Sequence, residues 1–217
     1  MNPESDTIAF DLSTLSSSDA YRLVTSVVVP RPIAWVTSVG DDGIVNAAPY
    51  SFFNILGSTP PIVGIGVGYR GTGAPKDTAR NAVARGEFVV NLVDEANAAR
   101  MNITGIEFGE GISELTEADL TPVASLKVVT PRIAESPFSL ECRLAQTVEL
   151  GSNRILLGEV VCIQVRADLV GPDKVILTEN AHLIARMHGR SGYARTSDRF
   201  ALDRITLADW QARKGKP

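Results

Sequence analysis

The sequence predicts a mainly β protein, a closed and largely antiparallel barrel with flanking helices packed outside it. Three observations carry this. Over residues 138–150 the apolar side chains Phe138, Leu140, Cys142, Leu144, Val148 and Leu150 fall on alternate positions with Glu141, Arg143 and Glu149 between them, the period of a half-buried strand. Gly40-Asp41-Asp42-Gly43 is a turn between two β-favouring runs, residues 33–39 and 44–48, and so makes a hairpin. Helical signals are few and do not alternate with the strands, which argues against a doubly wound parallel sheet.

The elements follow in order. Residues 1–20 form an extended arm ending in Ser16-Ser17-Ser18-Asp19, an N-cap cluster for a short helix through Val24. After the hairpin comes a segment without a single charge between Asp42 and Arg70, broken by Pro49, Pro60, Pro61 and several glycines. Within it residues 60–67 read as a buried strand. A helix is predicted from Lys76 to Arg85, stopped by Gly86, then a strand over 87–93 and a helix from Glu95 to Ile103 closed by Gly105. After the strand at 138–150 and a turn at 151–154, residues 155–165 are apolar on both faces, as in a central barrel strand, and Val175-Ile176-Leu177 adds a short one. Residues 185–196 read as a polar Gly-bearing loop, and 196–217 as a tail of the same single domain.

Composition excludes several functions. With 217 residues, 44% hydrophobic, 21% charged and a net charge of -4, the chain is long enough for one substantial core and has no basic excess to hold a nucleic acid backbone. The proline- and glycine-broken chargeless segment does not suit a bilayer span. The N-terminus, Met1-Asn2-Pro3-Glu4-Ser5-Asp6, lacks the basic and apolar regions of a secretory signal, which points to the cytoplasm. Cys142 and Cys162 have neither the spacing nor the companion histidines of a metal site, and read as small strand residues.

Two readings fit the chargeless segment. It is either a wall against a large, flat, partly polar ligand, approached by backbone amides, or core plus a subunit interface. Gly66-Val67-Gly68-Tyr69-Arg70-Gly71 is a literal G-x-G-x-x-G, but Thr72-Gly73-Ala74-Pro75 separates it from the next helix, so it is not a dinucleotide fingerprint. The helix start at Lys76 is where an anion would sit. Lys76, Thr78 and Arg80 add cations and a hydroxyl to its free amides, on what reads as an exposed helix start; alternatively Asp77 or Thr78 merely caps the helix. His188, one of two histidines, lies in the 185–196 loop, and no serine sits in a nucleophile elbow.

Arg31-Pro32-Ile33-Ala34-Trp35-Val36-Thr37-Ser38, then Asn46-Ala47-Ala48-Pro49-Tyr50-Ser51-Phe52-Phe53-Asn54, Pro60-Pro61, and Lys76-Asp77-Thr78-Ala79-Arg80-Asn81 resemble the blocks of the flavin reductase-like, FMN-binding split-barrel family, the flavoredoxin-like group. Later blocks at Ser136-Pro137 and Ala185-Arg186-Met187-His188-Gly189 with Tyr193 are similar too, so the resemblance spans roughly residues 20 to 200 in order. It implies a Greek-key-like split barrel and an oxidoreductase that passes hydride from NADH or NADPH through FMN to free flavin, an oxygenase partner or another small acceptor. The alternative it implies is an FMN electron carrier with no productive nicotinamide site. As the resemblance has it, Arg31, Trp35, Val36 and Thr37 lie along the flavin. Asn46, Ala48, Pro49, Tyr50, Ser51, Phe52 and Asn54 curl around its ring and phosphate. Lys76, Asp77, Thr78 and Arg80 serve the phosphate, and Arg186, His188 and Tyr193 complete the site of the same or the partner subunit of a homodimer.

Overall fold

A computed structural model describes residues 7–71, 73–109 and 111–214. The acidic hexapeptide read above as lacking a signal lies outside the described residues. The first helix, α1 (Ser17–Val27), is capped as predicted, the Ser16 hydroxyl accepting from the Asp19 amide at 3.1 Å. Next come β1 (Ala34–Val39), β2 (Val45–Tyr50), β3 (Phe53–Ser58) and β4 (Pro61–Gly68), then α2 (Asp77–Arg85) and β5 (Glu87–Asn91). The helix expected over 95–103 is a 3-10 turn running into α3 (Ala98–Ile103). α4 (Glu114–Glu117) and a small pair, β6 (Pro122–Val123) with β7 (Arg132–Ile133), follow. The long hairpin β8 (Phe138–Leu150) and β9 (Asn153–Val165) is succeeded by β10 (Ile184–Arg186), β11 (Tyr193–Arg195) and α5 (Leu207–Lys214).

The main sheet has seven antiparallel strands in the order β2-β1-β5-β8-β9-β4-β3. β2 and β3 are consecutive in the chain yet occupy opposite edges and do not pair. The barrel is therefore split along one seam rather than closed. The reason is local: after Tyr50 the Phe52 carbonyl accepts from the Gly66 amide at 2.7 Å, which draws the chain away from β2 and onto β4.

Strand alternation on β1 feeds two cores. Ala34 and Val36 join Val63, Ile65, Phe88, Val90, Cys142 and Leu156 inside the sheet, where Ala79 and Ala82 of α2 close the packing. Trp35 and Ile33 face the other way, onto Met101 of α3, Leu115 of α4, and Ile133. β1 is consequently buried along its whole length. At Gly158 of β9 an added Cβ would collide with the Phe88 ring and come 3.1 Å from the Cys142 Cβ, so only glycine lets the hairpin lie this close to the core.

Three expectations are corrected, and one strand is added. β9 is central, between β8 and β4, but most of its side chains are only half-buried, even over Asn153–Glu159 where β4 pairs with it. Residues 175–177 form no strand; a single bridge, Val170 to Ile176, closes over the 3-10 turn Pro172–Lys174 there. The 185–196 loop is a hairpin, because Arg186 organises its turn. β3 was not anticipated, since Gly57 and Ser58 hide a strand whose exposed Ile55 and Leu56 break the alternation.

Candidate functional site

The structure divides the candidate residues between two clefts on either side of the β2-to-β3 crossing. The first cleft lies between β2 and the start of α2, in two connecting parts of about 90 and 300 Å3 that share Asn46, Arg70, Asp77 and Glu114. Ala48, Pro49, Tyr50, Lys76 and Thr78 line the smaller part, and Arg80 the larger.

At its centre the Asn46 amide and the Tyr50 phenol both donate to Thr78 Oγ1, at 3.1 and 3.0 Å. Burial pushes the Tyr50 phenol up to about 12, so it remains a donor throughout the neutral range. Accepting twice, Thr78 keeps its own hydroxyl hydrogen, which has no acceptor among the described residues. The expectation of an exposed helix start is corrected here: Thr78 is 1% exposed, because β2 packs across the first turn of α2.

Lys76 is the N-cap of α2 and makes no side-chain cap. Among the described residues its ammonium has no ion pair. Asp77 instead sits between two guanidinium groups, bonded to Arg70 and, at 2.6 Å, to Arg80. Its charge is thus cancelled at home, and the helix start stays net positive.

Glu114 was not foreseen from the sequence, being one of several acids in an irregular stretch. Its Oε2 accepts from the Ala47 amide at 3.0 Å, and burial raises its pKa above the usual 4.5, opposed by that hydrogen bond. A raised folded pKa means that Glu114 contributes stability in full below pH 4.5, lost as pH rises through the folded value. Glu114→Gln, which keeps the acceptor, is expected to flatten the decline in stability above pH 4.5. Urea unfolding of both proteins from below pH 4.5 up to neutral pH checks it, and parallel profiles would contradict it.

The second cleft is apolar and also has two parts. One, of about 300 Å3, is walled by α1, Arg31, Ser51, Phe52, Phe53 and Asn54. The other, of about 440 Å3, runs from Phe52, Phe53 and Asn54 to Leu56, Leu150 and Ile155. Arg31 is 7% exposed, its guanidinium donating to the carbonyls of Thr25 (2.7 Å), Val28 (2.6 Å) and Met187 (3.1 Å) and to Ser51 Oγ (3.4 Å). No carboxylate among the described residues pairs with it.

Trp35, Val36 and Thr37 line neither cleft. Their side chains are fully buried, the Trp35 indole donating to Thr104 Oγ1 (2.9 Å) and Thr37 Oγ1 to the Pro131 carbonyl (2.6 Å). They hold β1 beneath β2 and present no side chain to a ligand. Arg186 donates to the carbonyls of Gly192, Gly189 and Arg190 and lies 4.9 Å from the Tyr193 ring, so it builds the β10–β11 turn. This turn carries the exposed His188 and joins the second cleft through the Arg31–Arg186 backbone bridge.

The donor set suits a flavin mononucleotide. A phosphate matches Lys76, the positive start of α2 and the Thr78 hydrogen, and the uncharged wall from Ala48 to Asn54 matches a flat heteroaromatic ring. Among the described residues, no helix is long and apolar enough to cross a membrane.

Residues 26–182 match the model of the flavin reductase like domain. A protein of Deinococcus radiodurans is 43% identical over 208 residues, covering 93% of this chain and 92% of its own length. Among solved structures, nitrilotriacetate monooxygenase component B from Bacillus cereus superposes with a TM-score of 0.86 at 35% identity, over 90% of this chain and 98% of its own. The Pseudomonas fluorescens 2-nitrobenzoate 2-nitroreductase NbaA gives 0.84, also at 35% identity, over 92% and 98%. The chain belongs to the flavin reductase-like family, whose split-barrel flavoproteins share this fold.

Proposed function

We propose that this chain is an NAD(P)H-dependent oxidoreductase that holds FMN across the β2-to-β3 crossing, its phosphate at Lys76 and its ring against the wall from Ala48 to Asn54. The observation that carries the reading is the Lys76 ammonium at the start of α2, which has no ion pair among the described residues, beside an aspartate already neutralised by Arg70 and Arg80. Bound there, the flavin would accept hydride from NADH or NADPH and pass two electrons to a second acceptor.

The chain's own residues do the positioning. Lys76 and the α2 amides neutralise the phosphate, and the protonated Tyr50 with Asn46 fixes Thr78 so that its hydrogen points away from them. Backbone amides between Ala48 and Asn54 would stabilise the negative charge that reduction places on the ring. We assign His188, exposed on the β10–β11 turn, to the incoming nicotinamide or its phosphate. An oxygenase partner accords with the relative that is component B of a monooxygenase. A small aromatic acceptor accords with the nitroreductase relative and with the apolar second cleft. The exposed apolar residues Tyr21, Val27, Ile55 and Leu56 around that cleft are the face we assign to a homodimer in the cytoplasm.

The test is the visible spectrum of the protein loaded with FMN, before and after anaerobic NADH and NADPH. Bleaching by either supports the reading, whereas a flavin spectrum that stays oxidised replaces it with an electron carrier fed by a protein donor. Lys76→Ala is expected to weaken FMN binding about ten- to a hundredfold, the worth of one charge-assisted hydrogen bond, with thermal stability unchanged. Wild-type affinity in this variant would move the phosphate elsewhere.

A further inference from the structure

A cavity of about 270 Å3 opens between the β7 arm and the adjoining ends of β8 and β9, sharing no lining residue with either cleft described above. Arg132 and Arg166 stand in its wall, and their circumstances differ. Arg166 is neutralised: its Nε and Nη2 donate to Asp168 at 2.7 and 3.2 Å, and Nη1 is 3.6 Å from Asp94. Arg132 has no carboxylate partner among the described residues, and its Nε, shut off from solvent, has no hydrogen-bond partner. A buried donor left unpaired costs its full desolvation, which is why such groups in folded proteins generally mark a missing partner.

The other polar groups in the wall narrow what that partner is. Ser136 Oγ donates to the Leu92 carbonyl at 2.7 Å or the Phe138 carbonyl at 2.8 Å, and Ser139 Oγ to Asn91 Oδ1 at 2.8 Å. With those hydrogens spent, both hydroxyls have only lone pairs to offer a ligand. The Gln164 amide is likewise engaged, donating to Glu141 at 2.5 Å. The cavity therefore offers one unpaired guanidinium and a pair of acceptor-only oxygens, that of Ser136 held by backbone carbonyls and that of Ser139 by Asn91, which itself donates to the Trp35 carbonyl at 3.0 Å.

We propose that this cavity is a binding site for a small hydroxy- or aminocarboxylate. The ligand's carboxylate takes the planar fork of Arg132, and its hydroxyl donates to Ser136 or Ser139, or its ammonium to both. A simple alkanoate satisfies the first requirement and fails the second, since it brings no donor for the serines.

The probes are L-lactate, L-serine, propionate and inorganic phosphate, titrated into the full-length protein while the Arg132 Nε–H and the Ser139 and Gln164 amides are followed by 1H–15N NMR. Saturable shifts at these three groups with lactate or serine are expected, with affinity at least about tenfold weaker for propionate, which has no donor for the serines. Arg132→Gln is expected to lose about ten- to a hundredfold in affinity and Arg132→Lys less, because an ammonium keeps the charge without the fork. Should Arg132→Gln fail to fold, the wild-type shifts and the Lys variant decide. Absence of shifts with lactate and serine, equal binding of propionate, a response to phosphate alone, or undiminished binding in both variants would each overturn the proposal.

Discussion

Replacing Arg31 with alanine is expected to lower the unfolding free energy by about 4 kcal/mol, the loss of several hydrogen bonds from a buried cation at roughly 1.5–3 kcal/mol each, discounted for non-additivity. The side chain gathers three separate pieces of chain: the carbonyls of Thr25 and Val28 at the end of α1, the Met187 carbonyl after β10, and Ser51 at the seam. Alanine leaves those carbonyls in a site that is 7% exposed in the wild type. For a chain of this size the midpoint of thermal unfolding should fall by on the order of 10 °C. Arg31→Lys should recover only part of the loss, since one ammonium cannot span acceptors so far apart in the fold. Urea unfolding of the three proteins measures both effects, and a loss under about 1 kcal/mol in the alanine variant would show that water replaces the guanidinium.

Gly158→Ala is expected to cost about 2 to 3 kcal/mol, the upper range for overpacking a core. The added methyl meets the Phe88 ring and the Cys142 Cβ, both in fully buried residues, and neither β5 nor β8 can retreat because each is paired on both sides. The collision predicts a specific rescue. Phe88→Leu alone should also destabilise, by leaving a void, yet the double variant should be more stable than the sum of the two losses allows. Additive losses in chemical unfolding would rule out this contact as the cause.

What the sequence disclosed depended on the range of the interaction. The Ser16 cap, the hairpin turn after β1 and the limits of α2 are set by residues within a few positions of one another, and these were readable. The burial of Thr78 was not, because it depends on Asn46 and Tyr50, some thirty positions away in the chain. Glu114 and Arg132 were missed for the same reason. Each is one charge among many until the fold brings Ala47 to the first and leaves the second without a partner. Trp35, Val36 and Thr37 show the opposite case: the block containing them identified the family, while their side chains turn out to hold β1 in the core.

The strand order has a consequence for how the chain is made. β4 rests between β3 and β9, so the β3–β4 hairpin emerges from the ribosome with one side unpaired, and its hydrogen-bonding neighbour is translated roughly ninety residues later. At about 5–20 residues per second, that hairpin waits several seconds with Val63, Ile65 and Val67, all buried in the folded chain, uncovered along an open strand edge. The waiting nascent chain is therefore the state most prone to association with other polypeptides, and it is where trigger-type holding chaperones would exert the greatest effect on yield.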